Sequence, residues 1–595
     1  MHDTKKLVKK FYKWRYKHIS NQQFINIASA IIGLLAGLAA VTLKNLTHFI
    51  QELLEGNFIK EFHQAFYFIF PIIGLFLVFV VLKYIVKKPV GHGIPSTLYA
   101  ISKLKGLMPR HQMWASLITA PLTVGFGGSV GLEGPTVATG SALGSNFARL
   151  MHLNQKTRTL LIGAAAAGAM SSIFKAPIAA IVFAVEIFSL DLTLISIFPL
   201  LLASITAVLT SYFFFGNDVL FHFQLQDKFV LKDVVFFVLL GITSATTSIY
   251  FSKMYFWISD LFDRLKSPIN KLLIGGILIG VMVYFVPPLF GEGYEVINNL
   301  LKDNYEGVLK YNFFNIPTDN VLLIISFLIG LVTLKVVAMS LTFGAGGVGG
   351  VFAPTLFTGS ISGYILATLS NYTGWIDHQL STSNFALVGM AGLMAGVLQA
   401  PLTAIFLIAE ITGGYELFVP LMIVSAISFV ITKKYIPHNI YASELAKRGE
   451  LLTHDKDHTV LSLMDFNKII ERNFIPVKPD TDLEVMLKET VVKSTRNIFP
   501  VLDEETNFLG IVLLDDLRQV MFNEELYKTT NVRNYMIKAP EVIYYETDNM
   551  KMVMKKFQDS GAWNLPVLKD GKYYGFMSKS KLLTAYRRKL IQVTS

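Results

Sequence analysis

Glycine-rich interruptions inside long apolar runs are the feature that most restricts how this chain can fold. Three such breaks, at residues 91–95, 128–135 and 349–354, end in a proline that is followed by apolar, helix-compatible sequence. Glycine lets the backbone bend and approach a ligand closely. Proline is tolerated at the first position of a helix because that N–H has no helical partner. Each break therefore predicts a helix that begins within a hydrophobic region, with its proline in the first position.

The apolar runs are long enough to cross a bilayer, which takes about twenty helical residues. Hydrophobic residues make up 52% of the chain and charged residues only 16%. Runs of spanning length are predicted near 25–45, 67–86, 193–214, 234–252, 271–287, 321–340 and 417–432. Shorter or glycine-broken segments are predicted at 95–185 and 350–410. Unpaired backbone is not tolerated in lipid, so these segments should lie inside the resulting bundle. The predicted fold is a mostly α, polytopic membrane helix bundle with broken helices.

Helix starts at membrane depth favour the binding of an anion, because their free N–H groups and the positive end of the helix dipole attract negative charge. Several such starts predict a pathway that carries anions without a fixed Lys or Arg. Partial charges hold an ion and still release it, whereas a desolvated cation would trap it. The ionisable residues within the three breaks are His92 and Glu133.

Basic residues flank the apolar runs on one predicted side of the membrane. They are Lys5, Lys6, Lys9, Lys10, Lys13, Arg15 and Lys17 before the first run, Lys83, Lys87 and Lys88 after the second, and Lys433 and Lys434 after the last. The positive-inside rule explains these clusters better than a nucleic-acid or lipid site does. We therefore expect a multi-pass protein of the plasma (inner) membrane with both termini cytoplasmic, no cleaved signal peptide and no nucleic-acid partner. The chain has no cysteine, which excludes disulfides.

The membrane part contains an internal repeat. Residues 163–187 and 389–411 each begin with glycine and alanine, continue with Ala-Pro and an apolar stretch, and place a glutamate nine residues after the proline, at Glu186 and Glu410. Such repeats are common in transporters, where broken helices from both halves meet near the midplane. We expect repeat halves at roughly 24–215 and 230–441, related by inversion.

The chain changes character after Tyr441. Residues 442–463 are charged and are predicted to be a linker. Residues 464–595 contain a duplicated pattern of two strands joined by a turn and followed by a helix, first at 499–512 and again at 565–577. Two short α/β units of this βαβ type, 464–525 and 531–590, should pack against one another because neither can bury a core alone.

These motifs together resemble the CLC family of chloride channels and anion/proton exchangers, followed by a pair of cystathionine-β-synthase-type (CBS) domains. The resemblance covers nearly the whole chain, with a basic cytoplasmic segment at 1–23, a CLC-type transmembrane domain at 24–441 and CBS domains at 464–525 and 531–590. It implies a homodimer with a separate pathway in each subunit. Chloride or a similar anion is the implied substrate, protons are the implied second substrate of an exchanger, and no cofactor is implied.

The resemblance also implies roles for individual residues. Glu133 takes the place of the gating glutamate, and Tyr441 that of the tyrosine whose hydroxyl completes the central site. The implied anion-binding residues are Gly91, His92, Gly93, Ile94, Gly131, Leu132, Glu133, Gly134, Gly350, Val351, Phe352, Ala353 and Tyr441. Physics supports the gate independently, because an ionised carboxylate beside helix N-termini competes with an anion and a protonated one does not. The alternative is a glutamate that only caps its helix.

Three positions depart from the family pattern. His92 stands where the family usually has a serine, so either its imidazole or the loop amides bind the anion, and chloride selectivity is open. Leu132 replaces a frequent Lys or Arg, which weakens the attraction of external anions. Ile187 stands where exchangers carry an inner glutamate that relays protons. Glu186, one residue earlier on another helix face, is a weaker relay candidate and more plausibly a structural counterpart of Glu410.

The function favoured by these departures is a passive anion channel, with a proton-coupled exchanger as the alternative. In the CBS pair, an adenine nucleotide is disfavoured, because each unit keeps half of the usual Ser/Thr and Asp motif: Asp516 with Leu513, and Ser578 with Lys581. An intramembrane enzyme is disfavoured too, because the chain has no His-Glu-x-x-His and no Gly-x-Ser-x-Gly motif.

Overall fold

The chain divides into two compact units, residues 1–448 and 449–595. The first is built from helices and the second combines small sheets with helices, which confirms the predicted fold class. The computed structural model describes residues 15, 17–54, 63–88, 90, 93–191, 193–216, 221, 229–309, 320–374, 378–443, 461 and 464–594.

The first unit alternates long helices with short ones. In chain order they are α1 (Asn21–Leu54), α2 (His63–Val80, continued by a π-helical turn at Val81–Val86), α3 (Ile94–Ser102), α4 (Ala115–Gly125), α5 (Glu133–Leu150), α6 (Gln155–Phe174), α7 (Pro177–Phe188), α8 (Leu194–Phe215), α9 (Val234–Asp263), α10 (Pro268–Phe285), α11 (Tyr294–Leu301), α12 (Tyr305–Leu309), α13 (Val321–Gly344), α14 (Phe352–Thr373), α15 (Thr382–Val397), α16 (Pro401–Ile411) and α17 (Phe418–Tyr435).

Within the described residues, nine helical stretches are long and apolar enough to cross a membrane. Seven coincide with the predicted runs. The other two, Gln155–Phe174 and Phe352–Thr373, lie in the regions that were expected to hold only short or broken segments. Their most apolar windows are 72% and 78% buried within the protein. Such helices contact other helices more than lipid, and their alanine, glycine and serine content gives them a mean hydropathy of 1.2, the lowest of the nine.

The same packing arrangement occurs in both halves of the first unit. Helices α1, α6 and α8 pack against one another in pairs, and so do α9, α15 and α17. Small residues permit this close approach. A Cβ on Gly33 of α1 would lie 2.6 Å from the Cα of Ala203 in α8, and one on Gly396 of α15 would lie 2.6 Å from the Cβ of Ser248 in α9. The internal repeat is therefore visible in the helix packing.

One backbone pairing joins the two halves. The N–H of Gly131 donates to the carbonyl oxygen of Gly350 at 2.9 Å, and the N–H of Gly350 donates to that of Gly131 at 2.7 Å. The bridge is antiparallel, so the chain runs in opposite directions at these two equivalent positions. Inversion of the complete halves relative to the membrane stays a prediction.

The second unit contains two antiparallel hairpins. Its elements are β1 (Ile470–Glu471), α18 (Leu483–Val485), β2 (Ile498–Leu502), β3 (Phe508–Leu513), α19 (Leu514–Leu517), β4 (Ile543–Tyr544), α20 (Met550–Ser560), β5 (Asn564–Lys569), β6 (Lys572–Ser578) and α21 (Lys579–Thr594). Strands β2 and β3 form a sheet of two, and a sheet of four has the order β1-β6-β5-β4.

The predicted duplication is present, but its βαβ connection lies before each hairpin rather than within it. Strand β4 pairs in parallel with β5 through Ile543 and Val567, with α20 between them. Val477 forms the equivalent parallel bridge to Val501, and the same 66-residue spacing separates both pairs. Each unit is thus one strand, a helix and a hairpin.

The two hairpins pack against one another, as the sequence predicted. The rings of Phe474 and Phe576 lie 4.6 Å apart between centroids, in a small core with Ile498 and Ile511. The predicted division at 464–525 and 531–590 separates residues that the structure joins, because β1 pairs with β6 and Ile470 lies in the second core. A short strand can pair with any exposed sheet edge, and no sequence pattern near residue 470 indicates that β1 pairs with the edge of β6.

Candidate functional site

Three helix starts meet at one place in the first unit. A Cβ on Gly93, just before α3, would lie 2.9 Å from the carbonyl carbon of Gly134 in the first turn of α5. A Cβ on Gly134 would in turn lie 3.0 Å from the Cα of Gly350, two residues before α14. Gly93 also has a φ of 67°, which favours glycine. The glycines of the three breaks therefore bring three helix N-termini together.

The helices begin earlier than their prolines predicted. Helices α5 and α14 start at Glu133 and Phe352, which places their prolines in the third position, and α3 starts one residue before Pro95. The prediction of proline at the first position was wrong for all three. A proline is equally tolerated there because all first-turn N–H groups lack a helical acceptor. Neither N-cap residue, Leu132 or Val351, supplies a side-chain acceptor.

The structure describes most of the predicted anion-binding residues and buries them. Gly91 and His92 lie outside the described residues. The buried members are Gly93, Ile94, Gly131, Leu132, Glu133, Gly134, Gly350, Val351, Phe352, Ala353 and Tyr441.

The carboxylate of Glu133 lies between the starts of α5 and α14. Its side chain is only 1% exposed. The hydroxyl of Tyr294 donates to Oε1. The backbone amides of Glu133 and Ala353 face the carboxylate, yet Oε2 completes no hydrogen bond with any described residue. A Cβ on Gly131 would collide with Oε2, so the absence of a side chain there leaves room for the carboxylate.

Tyr441 provides a second buried polar group that interacts electrostatically with this carboxylate. The residue is 4% exposed, and its hydroxyl oxygen has no hydrogen-bond partner among the described residues. The hydroxyl lies within electrostatic range of Glu133. A buried hydroxyl without a partner is costly, so an acceptor such as a halide would gain a hydrogen bond there.

Sequence reasoning missed three polar residues around Glu133. Besides Tyr294, these are Glu292, whose Oε1 accepts from the amide of Leu132 at 3.1 Å, and the fully buried Lys335 of α13. The Nζ of Lys335 donates to the carbonyl oxygen of Gly291 at 2.8 Å. Lys335 was detectable, because it is the only charged residue in the predicted run 321–340 and intramembrane charges mark functional sites. The sequence predicted an anion pathway without a fixed Lys or Arg. The structure instead places the buried Lys335 against the backbone next to Glu292, so a fixed cation does lie near Glu133.

Glu186 and Glu410 cap each other's helices across the repeat. The carboxylate of Glu186, in α7, accepts from the amides of Leu402 and Thr403 at 3.0 and 2.8 Å, at the start of α16. The carboxylate of Glu410, in α16, accepts from the amides of Ile178 and Ala179 at 3.0 and 2.7 Å, at the start of α7. Their equivalent structural roles follow from this exchange.

The residue at the predicted inner position is apolar. Ile187 is buried, with 5% of its surface exposed, and its side chain cannot bind a proton. The neighbouring Glu186 has both carboxylate oxygens occupied by the start of α16.

The predicted nucleotide residues lie in the second unit. Asp516 is exposed on α19. The hydroxyl of Ser578 accepts from the amide of Lys581 at 3.3 Å and so caps α21. Ser578 thus has a structural role of its own, and adenine-nucleotide binding stays a disfavoured prediction.

Comparison with known families assigns both units. Residues 73–433 match the family described as voltage gated chloride channel, and residues 466–523 match the CBS domain family. Among curated proteins, the H(+)/Cl(−) exchange transporter ClcA of Vibrio cholerae is 27% identical over 418 residues, which cover 67% of this chain and 84% of that protein.

Two solved structures share the fold. A slow cyanobacterial Cl−/H+ antiporter superposes with a TM-score of 0.60 at 23% identity, covering 72% of this chain and 98% of its own. A eukaryotic CLC transporter also reaches a TM-score of 0.60 at 16% identity, covering 94% of this chain and 99% of its own.

Proposed function

The chain belongs to the voltage gated chloride channel family, and on this premise we propose that it is a passive anion channel gated by the side chain of Glu133. It is an integral, multi-pass membrane protein that carries out CLC-type anion transport, and its C-terminal unit contains a CBS domain. The position of the Glu133 carboxylate between two helix starts carries the proposal.

Glu133 acts as a competing anion in this mechanism. The amides of Glu133 and Ala353 face its carboxylate, as they would face a halide. When the carboxylate is ionised it occupies the anion position, and when it is protonated it loses its attraction to the helix N-termini and leaves. External acid therefore opens the pathway.

The proposed anion pathway continues along the other two helix starts. The amides of Val351 and Phe352 bind the ion from the second half, Gly91 to Ile94 bind it from the start of α3, and the hydroxyl of Tyr441 completes the central site. The unpartnered hydroxyl of Tyr441 supports this assignment. Selectivity among chloride, nitrate and fluoride depends on His92.

Passive conduction is favoured over exchange by the inner position. Ile187 cannot carry a proton, and the carboxylate of Glu186 is occupied by the amides of Leu402 and Thr403. Proton-coupled exchange is the second candidate, since the relative from Vibrio cholerae is named an H(+)/Cl(−) exchange transporter.

Reconstituted protein separates the two candidates. Proteoliposomes with a chloride gradient are tested with and without a pH gradient, and the reversal potential is measured. A channel gives the chloride potential in both cases. A shift with the pH gradient that is absent from Glu133→Gln would establish exchange instead, and protein that passes no anion under either condition would overturn both candidates.

We also propose a homodimer with one pathway in each subunit. Exposed apolar side chains on α7, α8, α16 and α17 are available for such an interface; they include Ile178, Phe198, Leu402 and Val419. Subunit counting by stepwise photobleaching in liposomes tests this assembly, and single bleaching steps at high protein density would contradict it.

A further inference from the structure

A tight turn between α10 and α11 reaches the gate from a distant part of the chain. Gly291 and Gly293 have φ values of 59° and 86°, so the backbone on each side of Glu292 adopts a conformation that favours glycine. The turn presents Glu292 to the amide of Leu132 and Tyr294 to the carboxylate of Glu133. Both residues neighbouring the gate thus come from this turn.

Charged and titratable groups from four helices surround the carboxylate of Glu292. Glu133 faces it from α5, Lys44 from α1, Lys335 from α13 and Tyr294 from α11. Of these, Lys335 is fully buried and bonded to the carbonyl oxygens of the same turn, whereas Lys44 is partly exposed.

Apart from Lys44, whose partial exposure lets water screen its charge, the charges of this cluster do not balance without a proton. With both carboxylates ionised, Glu133, Glu292 and Lys335 together carry one net negative charge. A net charge in a desolvated site is costly, and two neighbouring carboxylates disfavour simultaneous ionisation. One added proton makes the three groups neutral. The pair therefore binds one proton more readily than an isolated glutamate would.

Water can reach Glu292 but not the far oxygen of Glu133. A cavity of about 40 Å³ is lined by Lys44, Glu292 and Tyr294 together with apolar side chains of α1 and α8. This volume exceeds what one water molecule requires. Oε2 of Glu133 is buried away from solvent.

We propose that Glu292 is a second proton-binding residue of the gate, sharing one proton with Glu133 and exchanging it with water in the cavity. In this step a proton leaves the carboxylic acid of Glu292, which becomes a carboxylate. Glu133 takes up the proton, so the pair still holds one proton, and when Glu133 returns it Glu292 exchanges it with cavity water. The inference rests on the proposed gating by Glu133 and adds the residue that sets the pH at which the gate opens.

The test is the dependence of anion conductance on external pH in planar bilayers. Glu292→Gln removes the neighbouring negative charge, so Glu133 ionises more easily and the midpoint should fall by about one pH unit. Glu295→Gln is the matched control, because Glu295 lies three residues further along, in the first turn of α11, but is exposed, and its midpoint should equal that of the wild type.

Two further variants separate proton binding from a packing role. Glu292→Asp keeps the charge and should retain a midpoint close to the wild type. Lys44→Met removes a partly exposed positive charge at the cavity and should raise the midpoint, which keeps the proposal testable if Glu292→Gln does not fold. A reduced conductance with an unmoved midpoint in Glu292→Gln and Lys44→Met would overturn the proposal.

The outcomes also distinguish this inference from the gating proposal beneath it. Persistent pH dependence in Glu133→Gln would remove Glu133 as the gate. If Glu133→Gln is insensitive to pH and the midpoint of Glu292→Gln is unmoved, Glu133 remains the gate and only the proton-binding role of Glu292 is excluded.

Discussion

Two pairs of glutamates, Glu186 with Glu410 and Glu133 with Glu292, place carboxylates at helix N-termini, and the pairs differ in whether their hydrogen bonds are complete. Glu186 and Glu410 each accept two backbone amides from the other half. Glu133 lies beside equivalent amides, but its Oε2 completes no hydrogen bond among the described residues. Glutamates at helix starts thus have both carboxylate oxygens hydrogen-bonded to backbone amides in the first pair, whereas Glu133 leaves one oxygen without a hydrogen bond.

The difference shows what distinguishes a movable carboxylate from a fixed one. A fully bonded carboxylate loses several charge-assisted hydrogen bonds when it moves, so it stays in place. The carboxylate of Glu133 loses fewer hydrogen bonds when it moves, because its Oε2 is unpaired. The neighbouring acid Glu292 and the missing side chain at Gly131 also lower the cost of movement. If Glu133 is the gate, as we propose, its unmade hydrogen bond rather than its position near a helix start sets it apart from Glu186 and Glu410.

The largest expected effect is in Glu133→Gln, which should conduct anions but show no dependence on external pH. The wild-type protonated fraction changes about tenfold per pH unit on one side of its midpoint, whereas an amide does not titrate in this range. Glu186→Gln is the matched control, and its pH dependence should persist. Steep pH gating in Glu133→Gln would remove the contrast between the two pairs.

Gly131→Ala should weaken pH gating without abolishing conduction. The new Cβ would occupy the space of Oε2 and lie 2.9 Å from the Cβ of Ala353, so the carboxylate loses its closed position. Conductance at high pH should rise relative to that at low pH. Gly414→Ala is the control because a Cβ there meets open space. Equal gating in both variants would show that the carboxylate does not use the space above Gly131.

Glu186→Gln and Glu410→Gln should reduce stability and leave gating unchanged. Each substitution weakens a charged cap at a helix start, which costs about 1 kcal/mol. Thermal unfolding in detergent measures the loss, with the exposed Glu416→Gln as control. Unchanged unfolding temperatures together with altered pH gating would reverse the roles assigned to the two pairs.

The smallest expected effect is in His92→Ser, which tests the third helix start. One hydrogen bond to the anion is worth roughly 1 kcal/mol, so permeability ratios among chloride, nitrate and fluoride should change about fivefold. Bi-ionic reversal potentials measure these ratios. Unchanged ratios would place the imidazole outside the pathway and leave the amides of the α3 start as the ligands.

Local sequence was enough to predict where helices break and that the breaks converge. Glycine and proline act through backbone conformation, which depends on the residue itself, so 91–95, 128–135 and 349–354 were recognisable. The exact first residues of α5 and α14 were not, because proline is acceptable anywhere in the first turn.

The partners of the site residues were not predictable, because they lie far away in sequence. Glu292 is 160 residues from Leu132, and Tyr294 is 161 residues from Glu133. The symmetry of Glu186 and Glu410 was visible in the repeat, but their acceptance of each other's amides depends on how α7 and α16 meet. Pairing of β1 with β6 has the same origin, since it depends on an edge formed about a hundred residues later.

The exchanged caps of α7 and α16 impose an order on biosynthesis. Glu186 emerges from the ribosome 216 residues before Leu402, and at about 5–20 residues per second that interval lasts roughly 10–40 s. During this time the first half sits in the bilayer with an acid and a helix start that have no native partner. A nascent chain arrested before α16 is therefore an incomplete insertion intermediate, and quality-control proteases should degrade it faster than the finished protein.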